Sequence, residues 1–204
     1  MIKNVIFDVG KVLVEWDCDS ALRRLGFDER ARQAVVQATV RSPYWNELDR
    51  SAVSDGELLA HFLDGAKGYE REVRLFWDNI GLAIQTYPYS RSWIQGLKKA
   101  GYGVYILSNY GRRTYGQTRE ELSFAGETDG ALFSFEVHQI KPEPEIYQTL
   151  LARYGLKPGE CVFLDDVQAN IDAAEALGIR GICFTGYEEA VRQLREYGVC
   201  IPGQ

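Results

Sequence analysis

Short apolar runs recur along this chain at intervals that suit an alternation of strands and helices. Four of them have the length of a β-strand: Val5–Val9, Val104–Leu107, Cys161–Leu164 and Gly181–Phe184. Continuous apolar runs of this length are typical of strands that are buried on both faces, as in a parallel sheet.

Segments with helical patterns lie between these runs. SRSWIQGLKKAG (90–101) begins with a serine that can cap a helix and ends in lysines and glycine. PEIYQTLLARYG (144–155) begins with proline and ends in glycine, and NIDAAEALG (170–178) is a third helical segment. The alternation predicts an α/β fold, a doubly wound, Rossmann-like parallel sheet with right-handed crossovers.

Residues 17–85 interrupt this alternation, because they contain no clear strand pattern. Several helices are predicted there, and Ser54 with Glu57 forms an S-x-x-E capping box before one of them. We therefore predict a catalytic core formed by 1–16 and 86–204, with a helical insertion at 17–85 after the first strand. The two crossing points, near 15–18 and 84–88, are candidate hinges.

Composition limits the functional classes. The net charge of the 204 residues is -6, which argues against a general binder of nucleic acids or anionic membranes. No apolar run approaches the roughly 20 residues that span a bilayer, and the first apolar stretch is too short for a signal peptide. The four cysteines show no CxxC spacing, so we expect reduced thiols, mostly in the core, in a cytoplasmic protein.

Polar residues stand where the apolar runs end, and ligands of open α/β sheets bind at the carboxyl ends of strands. These residues are Asp8, the pair Ser108 and Asn109, Lys141, and the pair Asp165 and Asp166.

Each of these residues, taken alone, also has a simpler interpretation. Asp8 could cap a turn or helix, Ser108 with Asn109 could form a turn, and Lys141 could be a solvated loop residue. Asp165 and Asp166 would repel each other unless a cation lies between them, so ion binding and capping both stay open for that pair. Together, at the ends of successive strands, the residues predict one site.

The chain resembles the haloacid dehalogenase superfamily on four motifs that occur in the family's order. They read FDVGKV with Asp8, LSN with Ser108, KPEPEIY with Lys141, and LDDVQANIDAA with Asp165, Asp166 and Asn170. The helical insertion looks like the small helical cap of that superfamily. Within it, the chain is most similar to the branch that contains α-D-glucose-1-phosphate phosphatase and the phosphatase-like N-terminal domain of epoxide hydrolases.

This resemblance implies a Mg²⁺-dependent phosphatase for a small phosphorylated metabolite, such as a sugar phosphate. Asp8 would attack phosphorus and form an aspartyl-phosphate. The resemblance implies that Lys141, the Ser108 hydroxyl and the Asn109 backbone N–H bind the phosphoryl group. The implied Mg²⁺ ligands are the Asp8 carboxylate, the Gly10 carbonyl, Asp166, and Asp165 directly or through water. Asn170 would orient the acidic loop or cap a helix.

Gly10 departs from the pattern of many relatives, which carry there an aspartate that protonates the leaving group. Three explanations stay open: a substrate with an easy leaving group, an acid supplied by the cap, or slow turnover. Lys11 in the same loop could be recruited, although a solvated lysine is the simpler interpretation. If nothing replaces the acid, the rate should depend steeply on the basicity of the leaving group.

A group of aromatic and polar cap residues suits a sugar ring: Trp16, Tyr44, Trp45 and Asp49. Trp45 is a candidate substrate-binding residue, although Tyr44 and Trp45 could also pack only within the cap. Two other functions remain as alternatives: a 2-haloacid dehalogenase, against which the acidic pair argues, and a phosphate-binding regulatory protein with low turnover. No nucleic-acid or membrane partner is expected, and the oligomeric state is left open.

Overall fold

The fold is that of a computed structural model that describes residues 1–200; residues 201–204, the end of the predicted core and tail, lie outside the described residues. In chain order, the strands are β1 (Asn4–Phe7), β2 (Val14–Trp16), β3 (Ile84–Thr86), β4 (Gly103–Ser108), β5 (Gly130–Phe133), β6 (Cys161–Asp165) and β7 (Arg180–Cys183). The helices are α1 (Cys18–Arg24), α2 (Glu29–Ala38), α3 (Trp45–Arg50), α4 (Asp55–Asp64), α5 (Glu70–Asp78), α6 (Ser90–Lys99), α7 (Arg112–Gln117), α8 (Ser134–Val137), α9 (Pro144–Tyr154), α10 (Gln168–Ala176) and α11 (Tyr187–Glu196).

Five of the strands form one parallel sheet in the order β5-β4-β1-β6-β7. Strand β1 lies at its centre, because Val5 pairs with Val104 on one side and with Val162 on the other. Hydrophobic clusters cover both faces of the sheet. The predicted α/β fold with a doubly wound parallel sheet is confirmed.

The sheet contains one strand that the apolar pattern did not predict. Strand β5 is short and begins at Gly130, where a Cβ atom would lie 2.3 Å from the ring of Tyr154. Glycine is needed there so that Tyr154 can pack against the strand, and it shortens the apolar run below the length that indicates a strand.

The predicted helices on both sides of the sheet are present, with one corrected end. Helix α9 begins with Pro144 and ends at Gly155, whose φ is 63°, as the sequence predicted. The serine that was expected to cap α6 does not do so. Ser90 lies inside the first turn after the N-cap Tyr89, and its buried hydroxyl donates to the Leu13 carbonyl at 2.5 Å.

Helices α1 to α5 lie between the two crossing points and share a hydrophobic cluster of their own, with Leu22, Leu48 and Phe62 among its buried members. The capping box of Ser54 and Glu57 is present at α4. Strands β2 and β3, which the sequence pattern missed, pair antiparallel at the crossing points. The division into a core and a cap stays a prediction, as do the hinges.

Cysteine placement differs from the expectation of core thiols. All four cysteines are free, but only Cys161 is fully buried, while Cys18 and Cys183 are half-buried and Cys200 is exposed. No helix within residues 1–200 is both long and apolar enough to cross a membrane.

Candidate active site

A buried lysine joins two carboxylates at the carboxyl end of the central strands. The Lys141 Nζ atom lies 2.7 Å from Asp8, just after β1, and 2.6 Å from Asp165, at the end of β6. All three residues are buried, and Lys141 is only 3% exposed. The simpler interpretation of Lys141 as a solvated loop residue is therefore wrong. Contrary to the expectation of successive strand ends, Lys141 follows α8 rather than a strand.

This arrangement changes the proton affinities of its members. Burial raises the pKa of Asp8 to about 6, with Asp165 adding to the shift and Lys141 opposing it. Burial alone would lower the pKa of Lys141, but the two adjacent carboxylates outweigh it, and the pKa of Lys141 lies above its usual value. Lys141 is therefore a permanent cation beside Asp8.

Asn170 fixes the orientation of Asp165. Its side-chain amide donates to both carboxylate oxygens at 3.0 Å, and the Val167 backbone N–H donates to one of them at 2.8 Å. The N-cap of α10 is Val167, so the structure favours the loop-orienting interpretation of Asn170 over helix capping. With Lys141 also bound, Asp165 has little capacity left for a direct metal bond.

Carboxylate oxygens of Asp8, Asp165 and Asp166 lie within 4.8 Å of one another. Lys141 supplies one buried positive charge to this group, and the exposed Lys11 lies 3.2 Å from Asp166. Hard oxygen donors with an excess of negative charge suit Mg²⁺. Both oxygens of Asp165 already accept hydrogen bonds. Asp8 and Asp166 therefore fit a direct metal contact best, and Asp165 fits a contact through water.

The carboxyl end of strand β4 contributes two polar side chains, those of Ser108 and Asn109. Ser108 is 1% exposed, and its hydroxyl oxygen has no hydrogen-bond partner within residues 1–200, which leaves it free for a ligand atom. The side chain of Asn109 accepts from the Lys141 backbone N–H at 2.7 Å and donates to the Lys141 carbonyl at 2.9 Å. Asn109 therefore holds the backbone that carries Lys141, a contact that sequence reasoning missed.

A cavity of about 210 Å³ opens above these residues. The predicted site residues Asp8, Gly10, Asn109, Lys141 and Trp45 line it, while the buried Ser108 and the acidic pair lie just outside its lining. Trp16 and Trp45 form an aromatic wall, with ring centroids 5.7 Å apart.

Tyr44 does not belong to the lining of this cavity. It stacks on His61 with a centroid distance of 3.9 Å and is exposed. In this arrangement Trp45 lines the cavity and Tyr44 does not, which favours the alternative of packing within the cap for Tyr44.

Gly10 lines the cavity, and nothing lies within 4 Å of the position where a Cβ atom would stand. The loop around it therefore has room for a side chain. Lys11, in the same loop, is exposed and points to Asp166 rather than into the cavity. No group of the Gly10 loop therefore takes the place of the missing acid.

A second carboxyl group, that of Asp49, lines the cavity from helix α3. Burial raises the pKa of Asp49 to about 7, and the charge of Asp8 adds to the shift, while Lys141 and the Gly111 backbone N–H oppose it. Sequence reasoning grouped Asp49 with the sugar-facing aromatic residues but gave it no chemical role. The signal was the acid at the end of the run YWNELD, close to two aromatic residues.

Comparison with known proteins agrees with the four motifs. A family model for haloacid dehalogenase-like hydrolases matches residues 2–178. The chain belongs to this family. It is therefore a hydrolase, and the resemblance noted in the sequence is confirmed.

Several named relatives are similar over most of the chain. D-ribitol-5-phosphate phosphatase of Bacteroides thetaiotaomicron is 28% identical over 87% of this chain and 89% of its own length. Sesquiterpene phosphatase of Aspergillus oryzae is 25% identical over 97% of each chain. Flavin mononucleotide hydrolase 1 of Arabidopsis thaliana is 23% identical over 76% of this chain, which spans 62% of that protein.

Solved structures share the fold. A HAD family enzyme of Bacteroides thetaiotaomicron in a magnesium complex superposes with a TM-score of 0.72 at 20% identity, covering 95% of this chain and 98% of that one. L-2-haloacid dehalogenase of Xanthobacter autotrophicus superposes with a TM-score of 0.63 at 17% identity, covering 99% of this chain and 85% of that one. The Rossmann-like core architecture is thereby confirmed.

Proposed function

We propose that this hydrolase is a Mg²⁺-dependent phosphatase that cleaves a small phosphorylated metabolite through an aspartyl-phosphate on Asp8. The observation that carries the proposal is the position of the Lys141 ammonium between Asp8 and Asp165, with Asp166 beside them. An anionic substrate can approach an anionic nucleophile only where cations offset the repulsion, and this site supplies one and has oxygen ligands for another.

Each residue has a defined task in the proposed reaction. The Asp8 oxygen that does not contact Lys141 attacks phosphorus, while Lys141 holds the other oxygen and the phosphoryl group. The unpartnered Ser108 hydroxyl donates to a phosphoryl oxygen, as the resemblance also implies for the Asn109 backbone N–H. Bound Mg²⁺, held by Asp8, Asp166 and the Gly10 carbonyl, would offset the charge that gathers on the phosphoryl oxygens.

The acidic triplet favours this reaction over dehalogenation. A haloacid substrate carries a carboxylate and releases a halide ion, so two further carboxylates beside the nucleophile do not assist its reaction. Phosphate ester hydrolysis can use a Mg²⁺ ion, which would compensate the charge of these carboxylates. Two similar proteins are named phosphatases of small or apolar alcohol phosphates, which agrees with the same interpretation.

The cavity favours a substrate of modest size. Its volume of about 210 Å³ is below the range of roughly 300–1,000 Å³ usual for drug-sized ligands. The Trp16 and Trp45 rings offer flat apolar faces, which suit a sugar or a polyol chain bearing one phosphate.

The test is phosphate release from a panel of phosphorylated sugars and polyols, and from p-nitrophenyl phosphate, with Mg²⁺ and with chelator. We expect release only with Mg²⁺, and loss of at least about 10³-fold in the Asp8→Asn variant, since the nucleophile is removed. The folded state of the variant is verified by circular dichroism. Release that persists in chelator or in Asp8→Asn would refute the proposal, as would release of halide from 2-haloacids without phosphate release.

A further inference from the structure

Hydrogen bonds connect the end of helix α3, around Asp49, to residues 134–143 near the sheet. The Ser134 hydroxyl, at the start of α8, donates to the Asp49 carbonyl at 2.6 Å. Arg50 forms two hydrogen bonds to the carboxylate of Glu143, at 2.9 and 2.6 Å. His138 Nδ1 lies 2.9 Å from the Arg50 carbonyl. These contacts fix the backbone at Asp49 from two core segments.

Gly111 allows this helix to approach the loop after β4. A Cβ atom on Gly111 would lie 2.7 Å from the Leu48 carbonyl oxygen, and such a distance is too short for any side chain. The Gly111 backbone N–H favours the charged form of the Asp49 carboxyl group and so opposes the rise in its pKa. Glycine at residue 111 thus allows the close contact with Leu48, the residue before Asp49.

Few side chains along the cavity can exchange a proton near neutral pH. Among its lining residues within 1–200, Asp8 and Asp49 are the carboxylic acids. The Tyr110 hydroxyl is engaged with Thr118 at 2.8 Å, and burial raises its pKa above the usual value. Lys141 is occupied by Asp8 and Asp165. Because Asp8 is the proposed nucleophile, Asp49 is the remaining lining residue that can donate a proton to the leaving group.

Asp49 and Asp8 line the cavity from different parts of the chain. The attacking and leaving oxygens lie in line on opposite sides of phosphorus. In the proposed reaction the leaving oxygen therefore points away from Asp8. Asp49 lines the same cavity from helix α3 of the helical insertion, and we place the leaving oxygen on that side. Gly10, which also lines the cavity, contributes no acid to it.

We propose that Asp49 is the general acid and base of this enzyme, in the place of the carboxylate missing at Gly10. This inference rests on the proposed phosphatase function. In the first step an oxygen of Asp8 bonds to phosphorus, the bond to the leaving oxygen breaks, and that oxygen takes the proton of Asp49. In the second step Asp49 takes a proton from water, the water oxygen attacks phosphorus, and the bond to Asp8 breaks. Phosphate leaves, and both carboxyl groups return to their initial states.

The test compares Asp49→Asn with the wild type on p-nitrophenyl, phenyl and benzyl phosphate, which differ little in shape and widely in leaving-group basicity. We expect kcat/KM to fall by about 10²–10⁴-fold for benzyl phosphate and by less than about tenfold for p-nitrophenyl phosphate, whose leaving group needs no proton. Phosphorylated Asp8, trapped by acid quench and detected by mass spectrometry, should accumulate in the variant because the second step loses its base.

Two further variants support the test. Glu47→Gln removes an acid from the same helix outside the cavity and should leave the leaving-group dependence unchanged. Adding Gly10→Asp to Asp49→Asn should restore hydrolysis of benzyl phosphate, since the loop has room for that side chain. Restoration also shows that the Asp49→Asn chain is folded.

The possible results distinguish a failure of the role proposed for Asp49 from a failure of the proposed phosphatase function. An equal loss for all three esters, or no loss for benzyl phosphate, overturns the role of Asp49 while the phosphatase function stands. A wild-type protein that never acquires phosphate on Asp8 overturns both.

Discussion

The Leu48 carbonyl oxygen lies so close to Gly111 that a Cβ atom at residue 111 would stand 2.7 Å from it. Leu48 belongs to the helical insertion, and Gly111 follows the strand end that carries Ser108. The φ of Gly111 is -73°, a value that any residue adopts. Glycine is therefore required here by the contact between two parts of the chain and not by the backbone conformation.

Gly111→Ala should weaken this contact and displace Asp49. Overpacking of this kind costs about 1–3 kcal/mol, and a shift of a catalytic group by about 1 Å can cost 10²-fold in rate. We expect a lower free energy of unfolding in urea, together with a larger loss of kcat/KM for benzyl than for p-nitrophenyl phosphate. Gly116→Ala is the matched control, because Gly116 lies in α7 with nothing near its Cβ position. If Gly111→Ala behaves like Gly116→Ala, the contact does not position Asp49.

Lys141→Met should abolish turnover more completely than any other change to a cation of this chain. The substitution leaves Asp8 and Asp165 buried side by side without the ammonium group between them. We expect kcat to fall by about 10²–10³-fold or more, and stability at neutral pH to fall by about 3–5 kcal/mol. Steady-state kinetics and urea unfolding measure the two effects.

Lys98→Met is the control for Lys141→Met. Lys98 pairs with Asp129 at 2.7 Å on the surface, where both side chains are partly exposed. Such pairs contribute about 0–1 kcal/mol, so this variant should keep nearly all of its stability and activity. Comparable effects of the two variants would show that the buried cation has no special role.

Asp166→Asn should reduce the affinity for Mg²⁺ by at least about tenfold, since one of the two carboxylates proposed to bind the metal directly is lost. Asp165 cannot compensate, because Asn170, Val167 and Lys141 already occupy its oxygens. Isothermal titration with MgCl₂ measures the effect directly. Asp172→Asn, an exposed acid of α10 that accepts from Gln168 at 2.7 Å, should leave the affinity unchanged. Unaltered Mg²⁺ binding in Asp166→Asn would remove Asp166 from the metal ligands.

The parts of this molecule that sequence predicts best are those that depend on local pattern. The buried strands of the sheet are continuous apolar runs, and the rule that ligands bind at strand ends brings Asp8, Asp165 and Asp166 together without any knowledge of packing. The capping box at Ser54 and the proline at the start of α9 are likewise local signals, and both are present.

Features that depend on contacts between distant segments could not be predicted in the same way. Strand β5 contains a glycine that Tyr154 requires, and Ser90 turns to a carbonyl 77 residues away instead of capping its helix. The Asn109 side chain forms two hydrogen bonds with the backbone of Lys141, which is 32 residues away in the sequence. Asp49 lines the cavity from helix α3, which approaches Gly111, a residue 62 positions along the chain from it. None of these partners can be identified from the residues beside them.

Asp49→Asn should change how stability depends on pH, independently of catalysis. The folded-state pKa of Asp49 is about 7, above its ordinary value of 3.8, because burial and Asp8 disfavour the charged form. Between these two values the folded state binds more protons than the unfolded state, so stability falls as pH rises through this window. The ionised Asp49 therefore destabilises the fold above about pH 7, and the amide in its place does not.

We expect Asp49→Asn to be more stable than the wild type by on the order of 1–2 kcal/mol at about pH 8, with a smaller difference at about pH 5. Urea unfolding in the presence of chelator at both pH values measures it, with Glu47→Gln as the control for removal of one negative charge from α3. A gain in stability together with a loss of benzyl phosphate hydrolysis would show that Asp49 serves catalysis although it lowers the free energy of unfolding. A variant less stable than the wild type at both pH values would instead assign Asp49 a structural role in the docking of α3.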